Sequence, residues 1–123
     1  MGLINLEPTF HEGEELLWRR PAARSLTDRT VAGMLFLTSI GVVFMPNRLN
    51  RRRYIVSIRI PHEQIESVDT LAPVLARASR RNGGLRRRLR LATAEETLLF
   101  VINHPEQVAD EISSALPEWP EPA

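Results

Sequence analysis

The amino-acid sequence predicts a mainly β domain of about seven antiparallel strands, followed by one C-terminal amphipathic α-helix. Three observations carry that expectation. Residues 33–53, GMLFLTSIGVVFMPNRLNRRR, hold two apolar runs separated by Thr38-Ser39-Ile40-Gly41. Residues 54–60 and 85–93 alternate apolar and polar positions, which is the period of a strand. Residues 103–116 change to a spacing of i, i+4, i+7 and i+8, which is the period of a helix. With 123 residues, 43% of them hydrophobic and 25% charged, the chain suits one globular domain whose core forms without disulfide or metal staples. The expected division is an N-terminal arm at 1–13, the domain at 14–116 and a disordered Pro-rich tail at 117–123.

The elements follow in order. EELLWRRPA (14–22) reads as the first strand, bounded by Gly13 and Pro21, with RSLTDR as a connection. Val31 to Met45 is too short for a membrane span, which needs about 20 apolar residues, and its glycines and valines disfavour a helix. It reads instead as the strands GMLFLT and GVVFMP, with a turn at Thr38–Gly41 in which Gly41 supplies a positive φ. YIVSIRI (54–60) places Tyr54, Val56, Ile58 and Ile60 on one face. Pro61 leads a turn, and IESVDTLAP (65–73) is the next strand. Residues 74–84, VLARASRRNGG, form a basic connection that holds a short helix until Asn82–Gly83–Gly84 breaks it. LRRRLRLAT (85–93) sets Arg86, Arg88 and Arg90 against Leu85, Leu89 and Leu91, with Arg87 out of phase. ETLLFVIN (96–103) is apolar enough for a strand covered on both faces. Asn103 then reads as the N-cap of the helix, with Glu106 three residues on approximating a capping box. Val108, Ala109, Ile112, Ala115 and Leu116 form its apolar stripe, and Pro117 ends it.

Charge is segregated along the chain. All sixteen basic residues are arginine. Residues 48–90 carry twelve of them against three acids, a local excess of nine, whereas residues 91–123 carry seven acids and no arginine. Either the two stretches pair within the fold or the basic one faces a partner.

The residues offer no catalytic arrangement. His11, His62 and His104 lie far apart and have no metal-ligand spacing. The adjacent pairs Glu14–Glu15 and Glu95–Glu96 point apart in extended chain. There is no G-x-S-x-G elbow, P-loop or G-x-G-x-x-G. No enzyme activity, cofactor or metal is expected. Nucleic acid is disfavoured as a partner because only Tyr54 could stack beside the basic stretch and the sequence pI is about 8.5. The lack of cysteine fits a reducing cytoplasm. The opening MGLINLEPTFHEGEE has neither the basic start nor the apolar core of a signal peptide. A cytoplasmic protein is expected, including one peripheral to the inner face of the membrane.

In EGEELLW, GMLFLTSIGVVFMPNRLN, SIRIPHEQIESV and LFVINHPEQVADEI, taken in that order over residues 12–116, the sequence resembles a GRAM domain of the stand-alone bacterial kind, within the pleckstrin-homology-like superfold. The resemblance implies a bent barrel of two near-orthogonal sheets, one open end of which is plugged by the C-terminal helix. It also implies a binding scaffold for proteins, peptides or lipids, with the ligand left open. The sequence departs from the family pattern at the basic connection 73–84 and at PNRLNRRR (46–53). Lipid-binding members gather basic residues between their first two strands, but residues 21–30 hold only Arg24 and Arg29, beside Asp28.

If the hairpin turn centres on Ser39–Ile40, Leu35, Leu37, Val42 and Phe44 share one face, and Met34, Phe36, Val43 and Met45 the other. Both faces are apolar, so something must cover the outer one. The candidates are the arm at Leu3–Leu6, the segment Leu71–Leu75, or another polypeptide such as a second copy. The sequence therefore supports a non-catalytic binding module with a protein partner, a homo-oligomer included. Its expected contact surface is Met34, Phe36, Val43 and Met45, with the arginine rim Arg48, Arg51, Arg52, Arg53, Arg80, Arg81, Arg86 and Arg88. The alternatives are attachment of the same arginines to anionic lipid, a small-ligand carrier with a pocket in the barrel, and a nucleic-acid binder.

Overall fold

The structure is a computed structural model and describes residues 10–47, 57–76 and 79–116. The strands are β1 (Leu16–Ser25), β2 (Thr30–Thr38), β3 (Gly41–Pro46), β4 (Ile58–Pro61), β5 (Ile65–Leu71), β6 (Arg88–Thr93) and β7 (Thr97–Ile102). Among the described residues two α-helices accompany them, α1 (Ser79–Asn82) and α2 (Pro105–Ala115). All strand pairs are antiparallel, in the order β4-β3-β2-β1-β7-β6-β5. The strands expected as two sheets are thus joined in one continuous ladder. The ten-residue β1 makes the join, since it pairs with β2 along its length and with β7 from Ala22 to Ser25. Pro21 falls inside this strand and not after it. It sits just before the β7 pairing begins, where β1 has a ladder on β2 alone, so the missing N–H is tolerated. The two edge strands β4 and β5 are linked by the 3-10 turn His62–Gln64 alone, which draws the sheet edges together at that end.

The hairpin has the expected register: Leu37 faces Val42, Phe36 faces Val43, Leu35 faces Phe44 and Met34 faces Met45. Its turn works differently from the expectation. Gly41 does not take a positive φ. Thr38 shapes the turn, its Oγ1 accepting from the N–H groups of Ile40 at 3.2 Å and Gly41 at 3.1 Å. Glycine is required at 41 because β4 runs so close that a Cβ would overlap the Ile60 carbonyl.

One core forms from the concave side. Leu35, Leu37, Val42, Phe44 and Ile60 meet Leu89, Leu91, Leu98, Phe100 and Ile102, and α2 closes it with Val108, Ala109 and Ile112. Phe44 and Phe100 stack tilted, with ring centroids 5.3 Å apart. The helix packs on β5 and β6, and its buried stripe is the one its spacing predicted. Its N-cap, however, is His104 and not Asn103, and no side chain caps it. Pro105 occupies the first helical turn and disfavours the right-handed α region for the residue before it. His104 turns the chain in the left-handed region instead, at φ 53° and ψ 57°.

On the convex side, residues 79–87 fold back over β1 and β7. Gly83, at φ 80°, lies so close to Val101 that any Cβ would overlap it. Asn82 Nδ2 donates to the Thr27 carbonyl at 3.2 Å, and the Ser25 hydroxyl donates to the Asn82 carbonyl. The two-sided cover expected for 96–103 is only partial: Gly83 lies against Val101, but Leu99 and Val101 stay half-buried and Thr97 is exposed.

Candidate functional site

The surface expected from the sequence divides into three parts. Phe36 and Val43 are closed off from solvent, at 0% and 2% exposure. They stand outside the main core cluster, between Arg19 and Arg59 on the neighbouring strands. The ring of Phe10 meets Phe36 edge-on at 6.4 Å. The chain itself therefore covers the middle of the hairpin's outer face, because the segment before β1 crosses it. Leu3–Leu6 lies outside the described residues, and Leu75 is exposed and does not cover the hairpin. Met34 and Met45 remain partly accessible.

Arg48, Arg51, Arg52 and Arg53 lie outside the described residues. Arg80, Arg81 and Arg86 are exposed on the segment that crosses the sheet. Only one ion pair among the described residues joins the basic stretch to the acidic C-terminal one, Arg87 Nε to Glu106 Oε1 at 3.3 Å. Arg59 also pairs with Glu14 and Arg90 with Asp69, whereas Arg80, Arg81 and Arg86 make no ion pair among the described residues. Apolar side chains stand among these arginines: Val74 and Leu85 are nearly half exposed and Leu75 is 91% exposed. A backbone bond from the Val74 N–H to the Gly84 carbonyl at 2.7 Å ties the two ends of the segment together. Residues 74–76 and 79–87 form a basic ledge set with apolar residues.

Arg88 departs from its expected surface position. It is only 5% exposed, because the ledge covers the side of β6 toward which its side chain points. Its Nη1 donates to the Ser25 hydroxyl at 2.8 Å, its Nε has no partner, and no carboxylate pairs with it among the described residues. Arg88 and Arg24 line a recess of about 560 Å³, together with Ser25, Thr27, Asn82 and Thr97. Asp28 also lines this recess. A buried guanidinium without a counter-charge is costly, and a planar oxyanion suits it.

A second polar centre lies at the opposite end of β1. The Glu14 side chain is fully withdrawn from solvent. It accepts from Thr38 Oγ1 at 2.5 Å, from the His11 N–H at 2.9 Å and from Arg59 Nη1 at 2.8 Å. Burial works against its ionisation, but these hydrogen bonds and the Arg59 charge outweigh it and hold the carboxyl below its usual range. On β5 and β6, the bidentate bond from Arg90 keeps Asp69 low in the same direction, with distances of 2.7 and 2.6 Å.

The sequence reading gives Arg24 no binding role, takes Asn82 only as a turn and sets Glu14 aside as half of a pair that points apart; it does not single out Ser25. The parity of Arg88 with Arg90 correctly assigns its side of the strand. Nothing local says that a distant segment roofs that side.

No protein-family model matches the chain, and no curated protein matches it. Solved structures do. The N-terminal PH domain of Vps36 superimposes with a TM-score of 0.62 at 16% identity, covering 89% of this chain and 83% of that one. The fold is PH-like. The C-terminal domain of an unknown protein from Leishmania infantum superimposes with a TM-score of 0.64 at 15% identity, covering 85% of each chain. At these identities the likeness concerns the fold alone. No helix of the described residues is long and apolar enough to cross a membrane.

Proposed function

We propose that this protein is a non-catalytic, cytoplasmic binding module of the GRAM type that takes an acidic protein partner on the ledge at 74–76 and 79–87, with one partner carboxylate seated in the recess on Arg88 and Arg24. The observation that carries this reading is the buried Arg88 guanidinium, whose Nε is unpartnered and which makes no ion pair among the described residues. An incoming oxyanion supplies that missing charge in a site already desolvated, where the interaction is strongest. Arg80, Arg81 and Arg86 attract acidic groups around it, and Val74, Leu75 and Leu85 add apolar contact. Apolar residues mixed with arginine suit a protein interface. A second copy of this chain qualifies as the partner, since residues 91–123 carry seven acids and no arginine.

The composition of the ledge also favours a second reading, attachment to an anionic lipid surface. Leu75 would enter the headgroup region, and each nearby arginine would contribute about 1 kcal/mol.

The test is calorimetric titration with a glutamate-rich peptide containing leucine, beside sedimentation with phosphatidylserine vesicles and light scattering of the protein alone. Salt-sensitive peptide binding, or self-association, that is lost in Arg88→Met with the fold intact supports the first reading. Vesicle binding alone, lost in Leu75→Glu, replaces it with the second. A monomer that binds neither probe overturns both.

A further inference from the structure

The large apolar side chains left exposed among the described residues fall into two groups. Leu16, Leu17 and Ile40 lie where β1 begins, beside the hairpin turn, and Val74, Leu75 and Leu85 stand on the ledge at the other end of β1. Exposed apolar patches of this kind mark contact surfaces. The two groups differ in shape and in charge.

The ledge presents a knob. Leu75, 91% exposed, is the middle residue of a three-residue turn closed by the Ala76 N–H, which donates to the Val74 carbonyl at 3.0 Å. The bond from the Val74 N–H to the Gly84 carbonyl anchors that turn. A side chain held out on a tied turn loses less freedom on docking than one on a loose loop. Around it, Arg80, Arg81 and Arg86 are exposed and make no ion pair among the described residues.

The start of β1 presents a hole. From Leu16 to Trp18 and on to Pro21, β1 has a ladder on β2 alone, because its pairing with β7 begins at Ala22. α2 faces this stretch across a groove of about 580 Å³, whose apolar lining is Leu17, Trp18, Leu37 and Ala115. Arg20 also lines the groove. Its guanidinium is held by Glu111 at 2.9 Å and lies over the Trp18 ring at 4.7 Å, so its charge is answered within the groove. Asp110 on the helix wall is exposed and makes no ion pair among the described residues. Along its length α2 carries Glu106, Asp110 and Glu111 and no basic residue. An apolar floor beside an acidic wall is the complement of a leucine ringed by arginine.

We infer that the acidic partner of the ledge is a second copy of this chain, with Leu75 of one copy seated in the groove between β1 and α2 of the next. The inference rests on the proposed role of the ledge and names the partner that occupies it. Leu75 packs against Leu17 and Trp18 of the second copy, and the arginines beside it face Asp110. Knob and groove are different parts of one chain, so the contact is heterologous, and copies close into a ring or extend into a chain.

The test is sedimentation equilibrium of the full chain over a range of concentrations, with circular dichroism to check the fold of each variant. The parent should exceed the monomer mass as concentration rises. Leu75→Glu removes the knob and Leu17→Arg blocks the groove, both at exposed positions. Each should weaken self-association by about tenfold or more. Asp110→Arg repeats the groove test at a second exposed position. Mixing Leu75→Glu with Leu17→Arg should restore association, because the first keeps an intact groove and the second an intact knob. Self-association that survives in both groove variants overturns the inference, since ledge would then meet ledge. Folded variants that stay apart when mixed overturn it as well. So does a parent that is monomeric at every concentration. If that monomer still binds the glutamate-rich peptide, the proposed role of the ledge stands without this partner, and if it does not, both fall.

Discussion

Among the described residues, two charged side chains are taken out of water in this fold, and their surroundings differ. Glu14 is met by a hydroxyl, a backbone N–H and the Arg59 guanidinium. Arg88 is met by one hydroxyl. The first centre joins the segment before β1, the hairpin turn and β4 into one unit, with its charge compensated inside the chain. The second joins the ledge to β1 and keeps donor capacity unused. A compensated buried charge holds structure together, whereas an uncompensated one is a place where a ligand of opposite sign gains most.

The largest test of this contrast removes the compensated carboxylate. Glu14→Ala should destabilise the protein by about 2–3 kcal/mol in denaturant unfolding, since it leaves Thr38 and Arg59 without their shared acceptor. A change below about 0.5 kcal/mol would mean that the centre is not structural.

Acid should have the next effect. Because the folded carboxyl of Glu14 titrates below its ordinary range, its ionised form adds stability that is complete above the unfolded value. That stability is lost as the pH falls through the folded one. Melting temperature should therefore drop on acidification of the parent and drop less steeply in Glu14→Gln. Identical acid limbs for the two proteins would remove Glu14 from the account.

Arg88→Met sharpens the contrast from the other side. Replacing an uncompensated buried charge by an apolar chain of similar length should change stability by less than about 1 kcal/mol, in either direction. The same variant should lose binding of the glutamate-rich peptide. Strong destabilisation would show that Arg88 is as structural as Glu14.

The smallest effect belongs to the cross-strand pair of Asp69 and Arg90, which is well exposed on both sides. Asp69→Asn should lower the melting temperature slightly, and added salt should erase the difference. A large, salt-insensitive loss would contradict the screening argument.

The parts of the molecule legible in the sequence are those set by local period and short-range pairing. The hairpin register follows from a tight turn between two apolar runs, and the stripe Val108, Ala109, Ile112 follows from helical spacing. The break at Asn82–Gly83 follows from turn chemistry. The sequence reading departs from the structure where a second constraint overrides the first, from an adjacent residue in one case and from a distant strand in the other. Asn103 has the right chemistry for an N-cap, but Pro105 moved the cap to His104. Gly41 was read for its φ, and the carbonyl of Ile60 is what requires it.

The amino-acid sequence by itself determined a β-rich domain with a helical lid, a two-sided apolar hairpin and a basic stretch opposed to an acidic one, because periodicity and charge order are properties of the chain. Tertiary structure alone decided which of those residues meet solvent. It hid Phe36 beneath Phe10, roofed Arg88 with the ledge and left Leu75 bare. Burial depends on segments far apart in the chain that cross one another, and no local pattern encodes that crossing.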